Sequence, residues 1–192
     1  KGLEGFREDF IEHITNGHCS CHLEQPVPCV ALCPAGVDVP GYISLIADER
    51  YADAVKLIRK DNPFVTSCAL VCEHPCETKC RRNFVDDAVN IRGLKRYAAD
   101  HCGLVPPPEC CEPTGKTIAI IGGGPSGLSA AYYLQQMGHQ CTVFEHRKEL
   151  GGMLYYGIPN YRLPKERLAE DVQNILATGV ETKMNTCIGD GD

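Results

Sequence analysis

The chain has 192 residues, 43% of them hydrophobic, a formal net charge of −6 and 13 cysteines. An acidic balance lacks the basic face that displaces counterions from nucleic-acid phosphates, and it disfavours an anionic membrane surface on the same ground. With no apolar secretory leader and no run long enough to cross a bilayer, a cytoplasmic setting follows. There, thiols serve as ligands rather than disulfides, and a chain of this size builds a core without covalent staples.

In chain order, Leu3, Phe6, Phe10, Ile11 and Ile14 recur at helical spacing. Asp38 and Pro40 form a start signal for a helix carrying Tyr42, Leu45 and Ile46, and Ala54, Leu57 and Ile58 predict the next. Ile91, Leu94, Tyr97 and Ala98 predict one more amphipathic helix, which Pro106, Pro107 and Pro108 are expected to halt. Residues 1–105 therefore read as short helices joined by cysteine-bearing loops, with a linker over 106–115. From 116 to 192 the periodicity changes: Thr117 to Ile121 predicts a strand, Leu128 to Met137 a helix, Cys141 to Phe144 a second strand, Leu168 to Thr178 a helix and Val180 to Ile188 a third strand. Strand, glycine turn, helix and strand make a βαβ unit, whose parallel pairing requires a crossover. The chain opens at Lys1 without an initiator methionine and stops after a strand-like run, as a segment of something longer would.

Cys68, Cys72, Cys76 and Cys80 recur at one interval, and Cys29 and Cys33 repeat it just before Pro34. On one uninterrupted helix the first and last of the four would stand ~18 Å apart at ~1.5 Å per residue, too far to share a compact site. Pro75 should break such a helix and send the sulfurs to different places, which points to two centres completed by upstream cysteines. Structural zinc sites commonly draw their four ligands from CxxC pairs, whereas CxxxC repeats and a cysteine followed by proline are closer to four-iron cluster usage. A zinc-stabilised helical interaction module beside a vestigial nucleotide fold is the alternative. Cys102, Cys110 and Cys111 have no ligand-like neighbours, Cys141 and Cys187 are expected as buried residues of strands, and His18, His22 and His74 receive no ligand role. The local basic cluster Lys79, Arg81, Arg82, Arg92, Lys95 and Arg96 reads either as a solvated helix face or as compensation for anionic thiolates.

Gly122, Gly124 and Gly127 form GxGxxG between a predicted strand and a predicted helix, with acidic Glu145 ending the next strand. In that pattern the first glycine permits the turn, the second lets backbone approach a pyrophosphate, and the third allows close helix packing. The helix N-terminus supplies amide donors, and the acid accepts from ribose hydroxyls. A carboxylate at Glu145 would repel a 2′-phosphate, which favours FAD or NAD in this pocket, and the loop alone does not separate those two.

The segments CPAGVDVPGYI (Cys33 to Ile43), DNPF (Asp61 to Phe64), CALVCEHPCETKC (Cys68 to Cys80) and VNIRGLKRYAAD (Val89 to Asp100) resemble the helical two-cluster ferredoxin-like domain of the glutamate synthase small (beta) subunit family, a domain shared with dihydropyrimidine dehydrogenase. IAIIGGGPSGLSAA (Ile118 to Ala131) and ELGGMLYYGIPNYRLPKE (Glu149 to Glu166) resemble the FAD-binding segment that follows it. The resemblance implies an α-helical iron-sulfur domain followed by the first part of an α/β Rossmann-type FAD-binding domain. It implies one 4Fe-4S cluster held by Cys19, Cys21, Cys29 and Cys80 and a second held by Cys33, Cys72 and Cys76. Cys68 matches a position that is usually not a ligand. Two departures stand out: Cys19 and Cys21 are separated by one residue where CxxC is usual, and Lys95, which has no lone pair to give while protonated, stands where relatives place a Gln or Glu as fourth ligand of the second cluster. For the flavin the resemblance implies Gly122, Gly123, Gly124, Pro125, Ser126 and Gly127, then Glu145, Gly151, Gly152 and Met153, with Arg162 facing flavin or phosphate oxygens. The implied activity passes electrons from NAD(P)H through FAD to the clusters and on to a large catalytic or electron-accepting partner subunit. The nicotinamide site would lie in a second Rossmann unit beyond Asp192, so this segment alone is not expected to turn over.

Overall fold

The computed structural model describes residues 27–189. The predicted first helix, and Cys19 and Cys21, lie outside the described residues. The described chain begins with six short helices: α1 (Pro28–Ala31), α2 (Val39–Ala47), α3 (Tyr51–Arg59), α4 (Val65–Val71), α5 (Pro75–Thr78) and α6 (Ile91–His101). Then follow β1 (Thr117–Ile121), α7 (Pro125–Gln136), β2 (Gln140–Phe144), α8 (Met153–Tyr156), α9 (Lys165–Leu176) and β3 (Glu181–Lys183).

Local chemistry explains most of these boundaries. Asp38 accepts from the Gly41 amide at 3.0 Å and Pro40 sits in the first turn, so α2 starts where its signal stood. Asn90 caps α6 in the same way, accepting from the Gly93 amide at 3.0 Å. That helix ends earlier than the prolines require. It stops at His101 because Gly103 adopts a left-handed φ of 62°, and the three prolines follow as extended linker. The cysteine segment is broken as the proline argument demands: α4 gives way to extended backbone at Cys72, His74 turns left-handed at φ 45°, and Pro75 opens α5.

The three strands form one parallel sheet in the order β1-β2-β3, with Thr117 opposite Gln140 and Ile121 opposite Phe144. β3 is shorter than its apolar run suggests. Its partner β2 ends at Phe144 opposite Lys183, and past that point Asn185 turns left-handed at φ 54°. Cys187 accordingly lies exposed outside the strand, against the expectation of a buried strand residue, while Cys141 is fully buried in β2.

Apolar side chains gather in three clusters. One joins Tyr42, Val55, Ile58, Ile91 and Ala98 of the helical half, with Cys29, Cys33 and Cys76 packed among them. A second is built from Ala131, Cys141, Val143 and Val180 beneath the sheet. The third crosses the proline linker: Phe64, Cys68, Leu70 and Val71 around α4 pack with Leu128 and Tyr132 of α7 and Leu168 and Ile175 of α9.

Asp171 of α9 lies at the centre of that joint, with no solvent exposure, and its two carboxylate oxygens accept from the α4 backbone amides of Thr66 at 3.1 Å and Ser67 at 2.7 Å. A helix in one half is thus capped by an acid from the other. Burial pushes the Asp171 carboxyl up, opposed by those donors. Arg167 of α9 also pairs with Asp100 of α6, adding a second, more exposed link.

Candidate functional site: a glycine cradle and two sets of thiols

The glycine loop leaves β1 and enters α7 with Gly124 at the N-cap and no side-chain cap, so the amides of the first helical turn stay available to an anion. Gly127 is fixed by contact: a Cβ there would lie 2.0 Å from the Gly122 carbonyl oxygen. Gly152 approaches the same loop from the far side, where a Cβ would come within 2.8 Å of the Gly124 Cα. Gly151 donates to the Gly123 carbonyl at 2.8 Å, so the loop over 151–153 lies against the glycine turn. Pro125 and Ser126 open α7, with Ser126 exposed, and Met153 begins α8 with most of its surface free. The cradle therefore has bare backbone on both walls and uncapped donors at its base, which fits a dinucleotide pyrophosphate.

Glu145 is 5% exposed, and it folds inward. One oxygen accepts from the Gly123 amide at 2.7 Å, the other from the Arg147 amide at 2.9 Å, and His146 Nδ1 stands 2.9 Å from the same carboxylate. Burial alone would raise this carboxyl, but the two amides and the neighbouring His146 and Arg147 outweigh it and hold it below the usual carboxylate range. Oε1 is met by both the Arg147 amide and His146, whereas Oε2, met by the Gly123 amide alone, retains a second lone pair for a ribose hydroxyl. The bracing of the loop by Glu145 is a role that the sequence pattern alone did not disclose.

Arg162 is exposed, and its guanidinium stands 3.9 Å from Glu73, the residue after Cys72. The structure brings it to the cysteine segment.

Packing of α1 on α5 brings the two cysteine segments together. Burial pushes the Cys29 thiol up, and Cys80 is among the groups that raise it further. The Cys76 thiol is likewise pushed up, first by burial and then by Glu77, Cys72 and Cys33, with Lys95 pulling the other way. Cys29 thus lies within electrostatic reach of Cys80, and Cys76 within reach of Cys72 and Cys33. Cys68 belongs elsewhere, in the apolar cluster with Phe64 and Leu128.

Two further features suit a cluster. The His74 amide donates to Cys72 Sγ at 3.3 Å, a bond of the type that tunes cluster sulfur. Arg92 donates to the Cys72 carbonyl at 2.9 Å, and its own amide is held by Glu77 at 2.8 Å. Among the described residues no three His, Cys, Asp or Glu side chains close on a single-ion position.

The basic cluster divides. Arg82 and Arg96 make exposed pairs with Asp86 and Asp100, the solvated-face reading, while Lys95 is 7% exposed and turned toward the thiols.

A helical cysteine-rich unit joined to the opening of a parallel dinucleotide-binding sheet defines a class of iron-sulfur and dinucleotide-binding proteins. Comparison with known proteins agrees: residues 8–104 match the family described as dihydropyrimidine dehydrogenase domain II, 4Fe-4S cluster, and residues 120–176 match the NAD(P)-binding Rossmann-like domain. The chain belongs to that dihydropyrimidine dehydrogenase domain II, 4Fe-4S cluster family. It is 41% identical to NADPH-Fe(3+) oxidoreductase subunit beta of Geobacter sulfurreducens, over 97% of this chain and 29% of that one. It is 41% identical to NADP(+)-dependent formate dehydrogenase subunit beta of Moorella thermoacetica, over 84% of this chain and 26% of that one. The small chain of glutamate synthase [NADPH] from Bacillus subtilis is 36% identical, over 82% of this chain and 32% of the relative. The chain thus spans about a quarter to a third of the length of these relatives. Among the described residues no helix is long and apolar enough to cross a membrane.

Proposed function

We propose that this chain is the electron-transfer portion of an NAD(P)H-dependent FAD and iron-sulfur oxidoreductase of the glutamate synthase small-subunit kind. The observation that carries this reading is the shared apolar cluster around α4: the helix that leads into Cys72 packs on α9, which packs in turn on α7, the helix behind the glycine loop. A nucleotide cradle and a set of thiols held through one core suit electron passage between the groups bound at each.

FAD, when bound, would take a hydride from NAD(P)H and release electrons singly, and two 4Fe-4S clusters would carry them to a large partner subunit. The chain's own residues do the holding. The uncapped amides of α7 receive the pyrophosphate, Gly124 and Gly152 admit it, and Glu145 keeps the loop in shape while Oε2 keeps a lone pair for ribose. Cys19, Cys21, Cys29 and Cys80 would hold one cluster, and Cys33, Cys72 and Cys76 the other. Arg162, linked to Glu73, would sit between flavin and cysteine segment.

Iron, acid-labile sulfide, zinc, flavin and the visible spectrum, measured on one anaerobic preparation, test this. About eight irons with matching sulfide and a band that bleaches on reduction are expected for two such clusters. Stoichiometric zinc without labile sulfide overturns the electron-transfer reading.

A further inference from the structure

Arg59 ends α3 and is 9% exposed, yet it has no carboxylate partner among the described residues. A guanidinium carries five N–H donors; among the described residues this one donates from Nη1 to the Val105 carbonyl at 3.3 Å, while Nε is buried without an acceptor. A buried charge left unpaired is costly, so a chain that keeps one there invites a counter-anion.

The surroundings are built to receive one. Arg59 lines a cavity of about 350 Å³ between α3, the proline linker and α7, within the size range of small-molecule sites. Lys56 and Lys60 line it from the same helix, Pro107 and Tyr132 supply apolar walls, and Glu109 is its single acid. Lys56 is held by Asp53 at 3.5 Å, whereas Lys60 makes no ion pair among the described residues. The Tyr132 phenol, pushed up by burial, is pulled down by Arg59, which places the phenol within electrostatic reach of the guanidinium.

We propose that this cavity is a binding site for a small organic oxyanion, a phosphate or carboxylate on a compact apolar body, with Arg59 and Lys60 on the anionic group and Tyr132 and the linker prolines on the apolar part. The site shares no lining residue with the glycine cradle or with Cys29, Cys33, Cys72, Cys76 and Cys80, and it stands whether or not the cluster assignment does. Because its walls come from the helical half, the linker and α7, an occupant would tie the proline linker to the helix that supports the nucleotide loop.

Titration calorimetry of the full-length protein with phenyl phosphate, benzoate and neutral benzyl alcohol, at matched ionic strength, tests the site. Saturable binding of at least one anion with none of the alcohol is expected, and the preferred anion names the oxyanion class. Arg59→Gln should weaken binding about tenfold or more, the loss of a charge-assisted bond. Since a buried arginine can matter for folding, Lys60→Gln provides the second arm: this exposed change should leave the melting temperature unmoved and weaken the anion several-fold. Absence of saturable binding, equal binding of benzyl alcohol, or unchanged affinity in a folded Lys60→Gln protein overturns the proposal.

Discussion

Replacing Asp171 by alanine removes the acceptor shared by two backbone amides at the joint between α4 and α9. Both oxygens are in use, at 3.1 Å to Thr66 and 2.7 Å to Ser67, and the residue has no solvent exposure, so water does not replace them. Two buried amides without acceptors cost about 1–3 kcal/mol each. Against this stands relief from burying a carboxyl that its surroundings already push toward protonation. The net expectation is a loss of about 2–4 kcal/mol, or roughly 5–15 °C in melting temperature for a domain of this size. Urea denaturation gives the free energy, and hydrogen exchange locates it: amides of α4 and α9 should lose protection first, ahead of the sheet. Asp171→Asn, which keeps one acceptor oxygen but turns an NH₂ toward the second amide, should fall between wild type and alanine. A change below 0.5 kcal/mol in Asp171→Ala, or exchange that rises uniformly instead of at the joint, would refute the claim that this carboxylate clasps the two halves (a threshold at about the size of an ordinary surface substitution).

Gly127→Ala places a methyl group against the Gly122 carbonyl and should cost about 1–3 kcal/mol by overpacking, with bound flavin lost on gel filtration; full flavin retention in a folded protein refutes the cradle geometry. Glu145, held below its usual range, contributes stability that is present above its unfolded value of about 4.3 and fades as pH falls through the lower folded value. Urea midpoints from pH 7 down to 3 should therefore show the gap between wild type and Glu145→Gln closing with acid, and a constant gap would show that the charge is not what braces the loop. Cys76→Ser should lower iron and labile sulfide by about half, whereas Cys68→Ser, in its apolar setting, should leave both unchanged; the reverse pattern would exchange their roles.

Local signals in the sequence proved dependable where chemistry acts within a few residues. Asp38 with Pro40 marked α2, and Pro75 marked the break between Cys72 and Cys76, because capping and proline sterics need no tertiary partner. The strand, glycine turn and helix around Gly122 to Gly127 were legible for the same reason. Signals that depend on a neighbour misled. The third strand stops at Lys183 since pairing ends with β2, and an apolar run carries no record of its partner's length. Helix α6 ends at His101, just ahead of a left-handed Gly103 that stands three residues before the first of the expected prolines, the nearer of two stop signals. Glu145 showed its position at the end of β2 but not its inward turn onto Gly123. Asp171 left one trace, an acid in the stripe with Leu168 and Ile175, whose meaning appears only once α4 is laid against it.

The packing of α4 bears on how this family can be rearranged. The linker at Pro106 to Pro108 looks like a seam for cutting, yet Phe64, Leu70 and Val71 lie on its amino-terminal side and find their apolar company on the other. A cassette ending at the prolines would carry a bare greasy strip and an α4 amino end stripped of its acid, so it should aggregate unless the recipient offers a matching surface. Fusions that transplant this cysteine-rich unit onto another protein therefore have to bring α7 and α9 along, and the heritable unit is the interlocked pair.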